Sequence, residues 1–235
     1  VGLLLRAFLV LIFMTPAIRQ SPVSAREIFD MAGRRVDVPD TILSVYGSSP
    51  PGTYMLYAMD PNLIAGLNFA IDSDQKKYLP SGFQDLPVVG GWFGQGQTPN
   101  LESLLAINPD ISLGWIYNGS AMMEKIEETL NTLGIPLVNI RLDTVADYPD
   151  TFRFLGELLG LEERGEALAE YASQTLAEIR RLADAVPETD RIRVYYAEGS
   201  DGLQTECNLH RPFSKLCHDI RRVLPTSLDK KTALG

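Results

Sequence analysis

Up to Glu206 the chain contains neither cysteine nor histidine. That absence removes the commonest general base, the commonest strong nucleophile and the soft metal ligands. Two cysteines in 235 residues also exclude a disulfide scaffold. No apolar run approaches the roughly 20 residues that span a bilayer. Basic charge is scarce: 21 Lys and Arg stand against 30 Asp and Glu, a net charge of −9. Without a basic surface to displace counterions from phosphates, this balance argues against nucleic-acid binding. Neither a GxSxG nor a Walker sequence occurs. Gly94-Gln95-Gly96 follows a predicted strand, but Pro99 stands where a dinucleotide fingerprint needs its third glycine. The loops offer no pair of acids for carboxylate-based hydrolysis, so that reading stays a distant alternative.

Of the residues, 45% are hydrophobic, enough for a core and for one or two domains, and too many for a disordered chain. Charge and residue types are unevenly placed. Cys207, His210, Cys217 and His218 all lie in the last 29 residues, which carry six basic and two acidic groups. Their spacing fits no common zinc frame, so no metal site is assigned there. Residues 26–206 carry 13 basic and 28 acidic groups. The abrupt switch suggests a frameshift or premature stop near Cys207.

At the other end, Arg6 precedes the apolar run Ala7–Met14, and Val23-Ser24-Ala25 offers small residues at the −3 and −1 positions of a signal peptidase site. Residues 1–25 read as a removed export signal, and the mature chain as exported and soluble.

Strand and helix signals alternate from there. Ile42–Tyr46 reads as a buried strand, Gly47–Gly52 as a turn, and Thr53–Met59 as a helix opened by the proline pair. Leu63–Leu67 and Val88-Val89 read as strands, with a polar surface excursion between Asp72 and Gln84. Asn100 can cap a helix over Leu101–Ile107, closed by Asn108-Pro109. Ile111–Leu113 and Leu137–Ile140 read as strands flanking a helix over Met122–Leu133. This alternation predicts a parallel sheet covered on both faces, an N-terminal α/β lobe over 26–145. Residues 146–188 are almost purely helical, interrupted at Gly160, and form a connector. Residues 189–235 open a second α/β lobe, with Arg193–Tyr196 as its first strand and an atypical tail from about 207.

In an open α/β sheet ligands sit beyond the carboxyl ends of the strands. The loops there hold Tyr46, Trp92, Phe93, Trp115, Tyr117 and Tyr196, including both tryptophans of the chain. Ser48, Ser49, Gln95 and Glu198 supply polar groups beside them. Aromatics gathered at loop tips read as a recognition surface, although they could also simply cover the sheet edge.

Three segments carry a resemblance to a known family. They are Asp30-Met31-Ala32-Gly33-Arg34 with Val36, Val38 and Pro39; Asn100–Asp110 (NLESLLAINPD); and Tyr195-Tyr196-Ala197-Glu198-Gly199 with Asp201, Gly202, Leu203 and Thr205. They resemble the periplasmic substrate-binding proteins of ABC importers for iron–siderophore, haem and cobalamin. The resemblance implies two Rossmann-like lobes joined by a long helix, with the second lobe incomplete here. It implies a monomeric, non-enzymatic periplasmic protein that holds a metal chelate in the cleft and needs no cofactor of its own, because the metal arrives wrapped. An iron–siderophore leads among the ligands, followed by a nickel or cobalt chelate, cobalamin or haem. The resemblance makes Trp92 and Trp115 cleft residues. Glu102 becomes the carboxylate that pairs with an arginine of the inner-membrane permease. A sensor or adhesin lobe using the same cleft is the alternative.

Overall fold

The computed structural model describes residues 24–92, 98–115 and 121–191. Residues 1–23 of the expected export signal and the tail from about 207 lie outside them, as does the first strand of the second lobe. Ser24 and Ala25 of the expected signal are described, and Ala25 opens the first described strand. Strands β1 (Ala25–Phe29) and β2 (Arg35–Pro39) pair antiparallel. Strands β3 (Val45–Gly47), β4 (Ile111–Trp115) and β5 (Leu137–Ile140) form a parallel sheet in that order. Helix α1 (Pro50–Met59) follows β3, and the short helices α2 (Ser73–Lys76) and α3 (Ser81–Gln84) follow a bend at Pro61–Leu63. Helix α4 (Leu101–Ile107) leads into β4 and α5 (Ala121–Thr132) into β5. Helices α6 (Tyr148–Leu159) and α7 (Glu162–Asp184) follow, and a single turn at Glu188–Asp190 ends the described chain.

The alternation of side chains along each strand divides the core in two. On one face Val45, Ile111, Leu113, Val138 and Ile140 meet Leu56 of α1, Leu155 and Leu158 of α6 and Ala169 of α7. On the other, Tyr46 and Leu137 meet Val89, Leu104 of α4, and Ile126 and Leu130 of α5. The expected parallel sheet with both faces covered is therefore present. Among the described residues no helix is long and apolar enough to cross a membrane.

Leu63–Leu67, expected as a strand, makes only isolated bridges, Val45 to Ile64 and Leu67 to Val88. The segment starts against β3, where Ala65 N–H donates to Val45 O at 2.9 Å, and then shifts to the Val88 segment, where Leu67 N–H donates to Pro87 O at 2.8 Å. A chain that changes partner after two residues cannot build a ladder. The predicted cap is present: the Asn100 side chain accepts from Ser103 N–H at 2.9 Å. Gly160, in the left-handed region at φ 68°, ends α6 and separates it from α7.

Two motif residues have structural work. The Asp30 carboxylate, almost fully buried, accepts from Ala32 and Arg34 N–H, from the Arg34 guanidinium at 2.8 Å, and from Asn139 N–H at 3.1 Å. It locks the β1–β2 hairpin to β5. Asp110 accepts from Leu43 and Ser44 N–H at 2.7 and 2.9 Å and so joins the chain entering β4 to the chain entering β3.

Helices α6 and α7 approach closely at two glycines. A Cβ on Gly165 would lie 2.6 Å from Phe152 O and 2.9 Å from Gly156 Cα. Further along α7, Ile179 and Leu182 are exposed, with Val186 just beyond the helix end.

Candidate functional site

The carboxyl ends of β3 and β4 converge with the Gly90–Trp92 turn. Ser48 N–H donates to Leu113 O at 2.9 Å, and Trp92 N–H donates to Ser48 O at 3.1 Å. The turn is thus stitched to the end of β3, which is itself stitched to β4. The Trp92 ring meets Tyr46 edge-on, centroids 6.2 Å apart.

Tyr46, expected among the loop-tip aromatics, is instead wholly buried at 0% exposure. It sits on a strand face between α4 and α5, and its hydroxyl donates to Gly90 O at 2.7 Å. Burial pushes its pKa above the usual tyrosine value, partly offset by the nearby Asn68 side chain. Tyr46 therefore supports the surface from below. Ser48 and Ser49 are likewise covered, at 1% and 0% exposure, and their hydroxyls have no partner among the described residues. Trp92 and Trp115 are both half-buried but belong to different faces: Trp92 packs on the α4–α5 side of the sheet, Trp115 on the α1–α6 side. Phe93, Gln95, Tyr117, Tyr196 and Glu198 lie outside the described residues. Glu102 is exposed in the first turn of α4, where a carboxylate also complements the helix dipole.

The sequence reading missed the polar centre of this edge. Asn68 donates from Nδ2 to Gly47 O at 2.8 Å and to Gly90 O at 3.1 Å, and accepts from the Thr53 hydroxyl at 2.6 Å. The glycines beside it leave it room: a Cβ on Gly91 would lie 2.9 Å from Asn68 Nδ2.

Also missed was a groove of about 560 Å³ beside α1, to which Asn68 contributes. Tyr54 and Tyr57 of α1 form one wall; Phe69, Tyr78 and Phe83 form much of the other. Tyr57 and Phe83 meet edge-on at 5.0 Å, while Tyr54 and Tyr78 remain 69% and 77% exposed. The expected polar excursion between Asp72 and Gln84 is thus the outer wall of an aromatic groove, because α2 and α3 fold back toward α1. Five aromatics between positions 54 and 83 were the available signal, but they follow no period. Such a groove suits a large, flat or partly apolar ligand, with face and edge contacts from the rings. Among the described residues no three acids, histidines or cysteines cluster as metal ligands.

Residues 92–205 match the periplasmic binding protein family. The chain is 27% identical over 186 residues to a vitamin B12-binding protein of Pectobacterium atrosepticum, covering 77% of this chain and 61% of that one. An ABC transporter solute binding protein from Sulfurospirillum deleyianum superposes with a TM-score of 0.70 at 35% identity, covering 82% of this chain and 60% of the other. A periplasmic solute binding protein from Veillonella parvula superposes with a TM-score of 0.55 at 24% identity, over 70% of this chain and 50% of its own, a likeness of fold alone. The chain spans about three-fifths of the length of the curated relatives it matches.

Proposed function

We propose that this chain, which carries a periplasmic binding protein domain over residues 92–205, is the substrate-capturing component of an ABC importer. Its ligand is a metal chelate of the corrinoid, haem or siderophore kind. The observation that carries this reading is the aromatic groove beside the carboxyl edge of the parallel sheet. Rings at Tyr54, Tyr57 and Tyr78 line this groove and can cover the flat or apolar part of a chelate. The chelator supplies the metal's ligands, so the site needs none of its own. The exposed Glu102 carboxylate offers an arginine of the permease a contact at the outer surface of α4.

The curated relatives are vitamin B12-binding proteins, which puts cyanocobalamin first in a panel with haemin, a ferric siderophore and a nickel chelate. The full chain should bind one of them saturably, read by calorimetry and by loss of tryptophan emission. A flat titration across the panel would remove the reading. A secreted sensor or adhesin lobe using the same cleft would bind as well but would not stimulate a cognate permease and ATPase in vesicles.

A further inference from the structure

We propose that Asn68 is the positioning residue of the binding edge, a single carboxamide that sets Trp92 and the end of β3 in register with the aromatic groove. The proposal rests on the reading of this edge as a ligand site, and its test separates the two. Asn68 is 4% exposed, and its three short contacts reach three separate segments. Nδ2 donates to Gly47 O at the end of β3 and to Gly90 O in the turn before Trp92. Oδ1 accepts from the Thr53 hydroxyl of α1. Both amide protons and one oxygen lone pair are therefore used, and no other side chain of that size donates twice and accepts once in a plane.

Each contact has a consequence for the surface above it. The bond to Gly47 O fixes the backbone immediately before Ser48, whose carbonyl accepts from Trp92 N–H at 3.1 Å. The bond to Gly90 O fixes the other end of the same loop, with help from the Tyr46 hydroxyl. The bond from Thr53 ties both to α1, whose Tyr54 and Tyr57 wall the groove. Because Asn68 lines that groove as well, the Trp92 loop and the groove aromatics share one anchor. Gly47 and Gly91 let it fit. A Cβ on Gly47 would lie 2.4 Å from the Thr53 hydroxyl oxygen, and one on Gly91 would lie 2.9 Å from Asn68 Nδ2.

The test is Asn68→Asp, which keeps the shape and the acceptor for Thr53 but turns an oxygen toward two carbonyl oxygens. In a Trp115→Phe background Trp92 is the sole tryptophan, and its acrylamide quenching reports the loop without any ligand. At pH 8 the quenching constant should rise at least twofold over the Asn68 parent. It should fall back toward the parent value on acidification to pH 5, because the protonated acid regains one donor, while the parent stays flat. Circular dichroism at each pH confines the comparison to folded protein. Thr53→Val, a milder change that frees the carboxamide to rotate, should give an intermediate rise and no recovery at pH 5. With Trp115 intact, calorimetry with cyanocobalamin should show at least a tenfold weaker affinity for Asn68→Asp at pH 8, narrowing at pH 5. Parent-like quenching in both variants would overturn the proposal. If the unsubstituted chain binds no cyanocobalamin, the quenching series alone still decides the role of Asn68, and the failure falls on the ligand reading.

Discussion

Two places in the molecule hold separate segments in fixed register, and they do it with opposite chemistry. At the α6–α7 joint the register is set by what is missing. Gly156 and Gly165 let the helix backbones approach until Gly165 Cα sits where no side chain could stand, while Leu155, Leu158 and Ala169 close the apolar contact around them. At the binding edge the register is set by what is present, a buried amide whose hydrogen bonds reach β3, the Gly90 turn and α1. Close packing has no ionisable part and tolerates no added volume. A hydrogen-bonded clamp tolerates small changes of volume but not the loss of a donor. On the proposed function, the first would suit a stiff connector and the second a surface that presents the same rings to each ligand.

The largest effect should come from adding volume at the joint. Gly165→Leu puts a Cβ 2.6 Å from Phe152 O, and backbone cannot move aside as a flexible side chain could. A cost of about 3 kcal/mol in urea unfolding is expected. Gly165→Ala should lose less, because only the Cβ must be accommodated. If Gly165→Leu left the unfolding midpoint unchanged, the helices would not be in the contact described and the comparison would collapse.

A smaller effect belongs to the floor of the binding edge. Tyr46→Phe removes the hydroxyl that donates to Gly90 O, but that carbonyl keeps the Asn68 donor at 3.1 Å. The loss should be about 1 kcal/mol. The pH dependence sharpens the contrast with the joint. Burial raises the Tyr46 pKa in the folded chain above the unfolded value of about 10. Its contribution is therefore complete below that pH and is lost as the pH climbs toward the folded value. Denaturation midpoints of the parent should fall more steeply above pH 10 than those of Tyr46→Phe. Parallel curves would mean that Tyr46 is not held neutral by its surroundings.

Much of the frame was legible because its signals are local. The Asn100 cap, the Gly160 break and the apolar runs of β3, β4 and β5 each sit within a few residues of what they specify. Leu63–Leu67 looked like its neighbours, yet became two bridges, because an apolar run states burial and not which strand it pairs with. The segments that carried the family resemblance proved to be partly frame. Asp30 and Asp110 spend their carboxylates on backbone N–H groups, so these motif residues announced a fold more than a ligand. Asn68 was unreadable because its partners are 15, 21 and 22 residues away. The aromatic groove was unreadable for the same reason, since Tyr54 and Tyr78 line one groove only after α2 and α3 fold back.

The smallest expected effect tests whether charge adds anything to the joint beyond its packing. Arg153 of α6 donates to both carboxylate oxygens of Glu166 on α7, at 2.8 and 2.9 Å, across the outer rim of the glycine contact. The pair is solvent-exposed, so water screens it and side-chain ordering opposes it. The hydrogen bonds from Arg153 hold the Glu166 carboxyl below the ordinary glutamate range. What the pair contributes is therefore present above the unfolded glutamate pKa and is lost as pH falls through the folded one. Arg153→Met keeps the aliphatic stem over the helix and deletes only the charge. At neutral pH and physiological salt its unfolding midpoint should fall by less than that of Tyr46→Phe, and the difference from the parent should vanish at acid pH. A neutral-pH loss as large as that of Gly165→Leu would show that the rim, and not the glycine contact, holds α6 to α7.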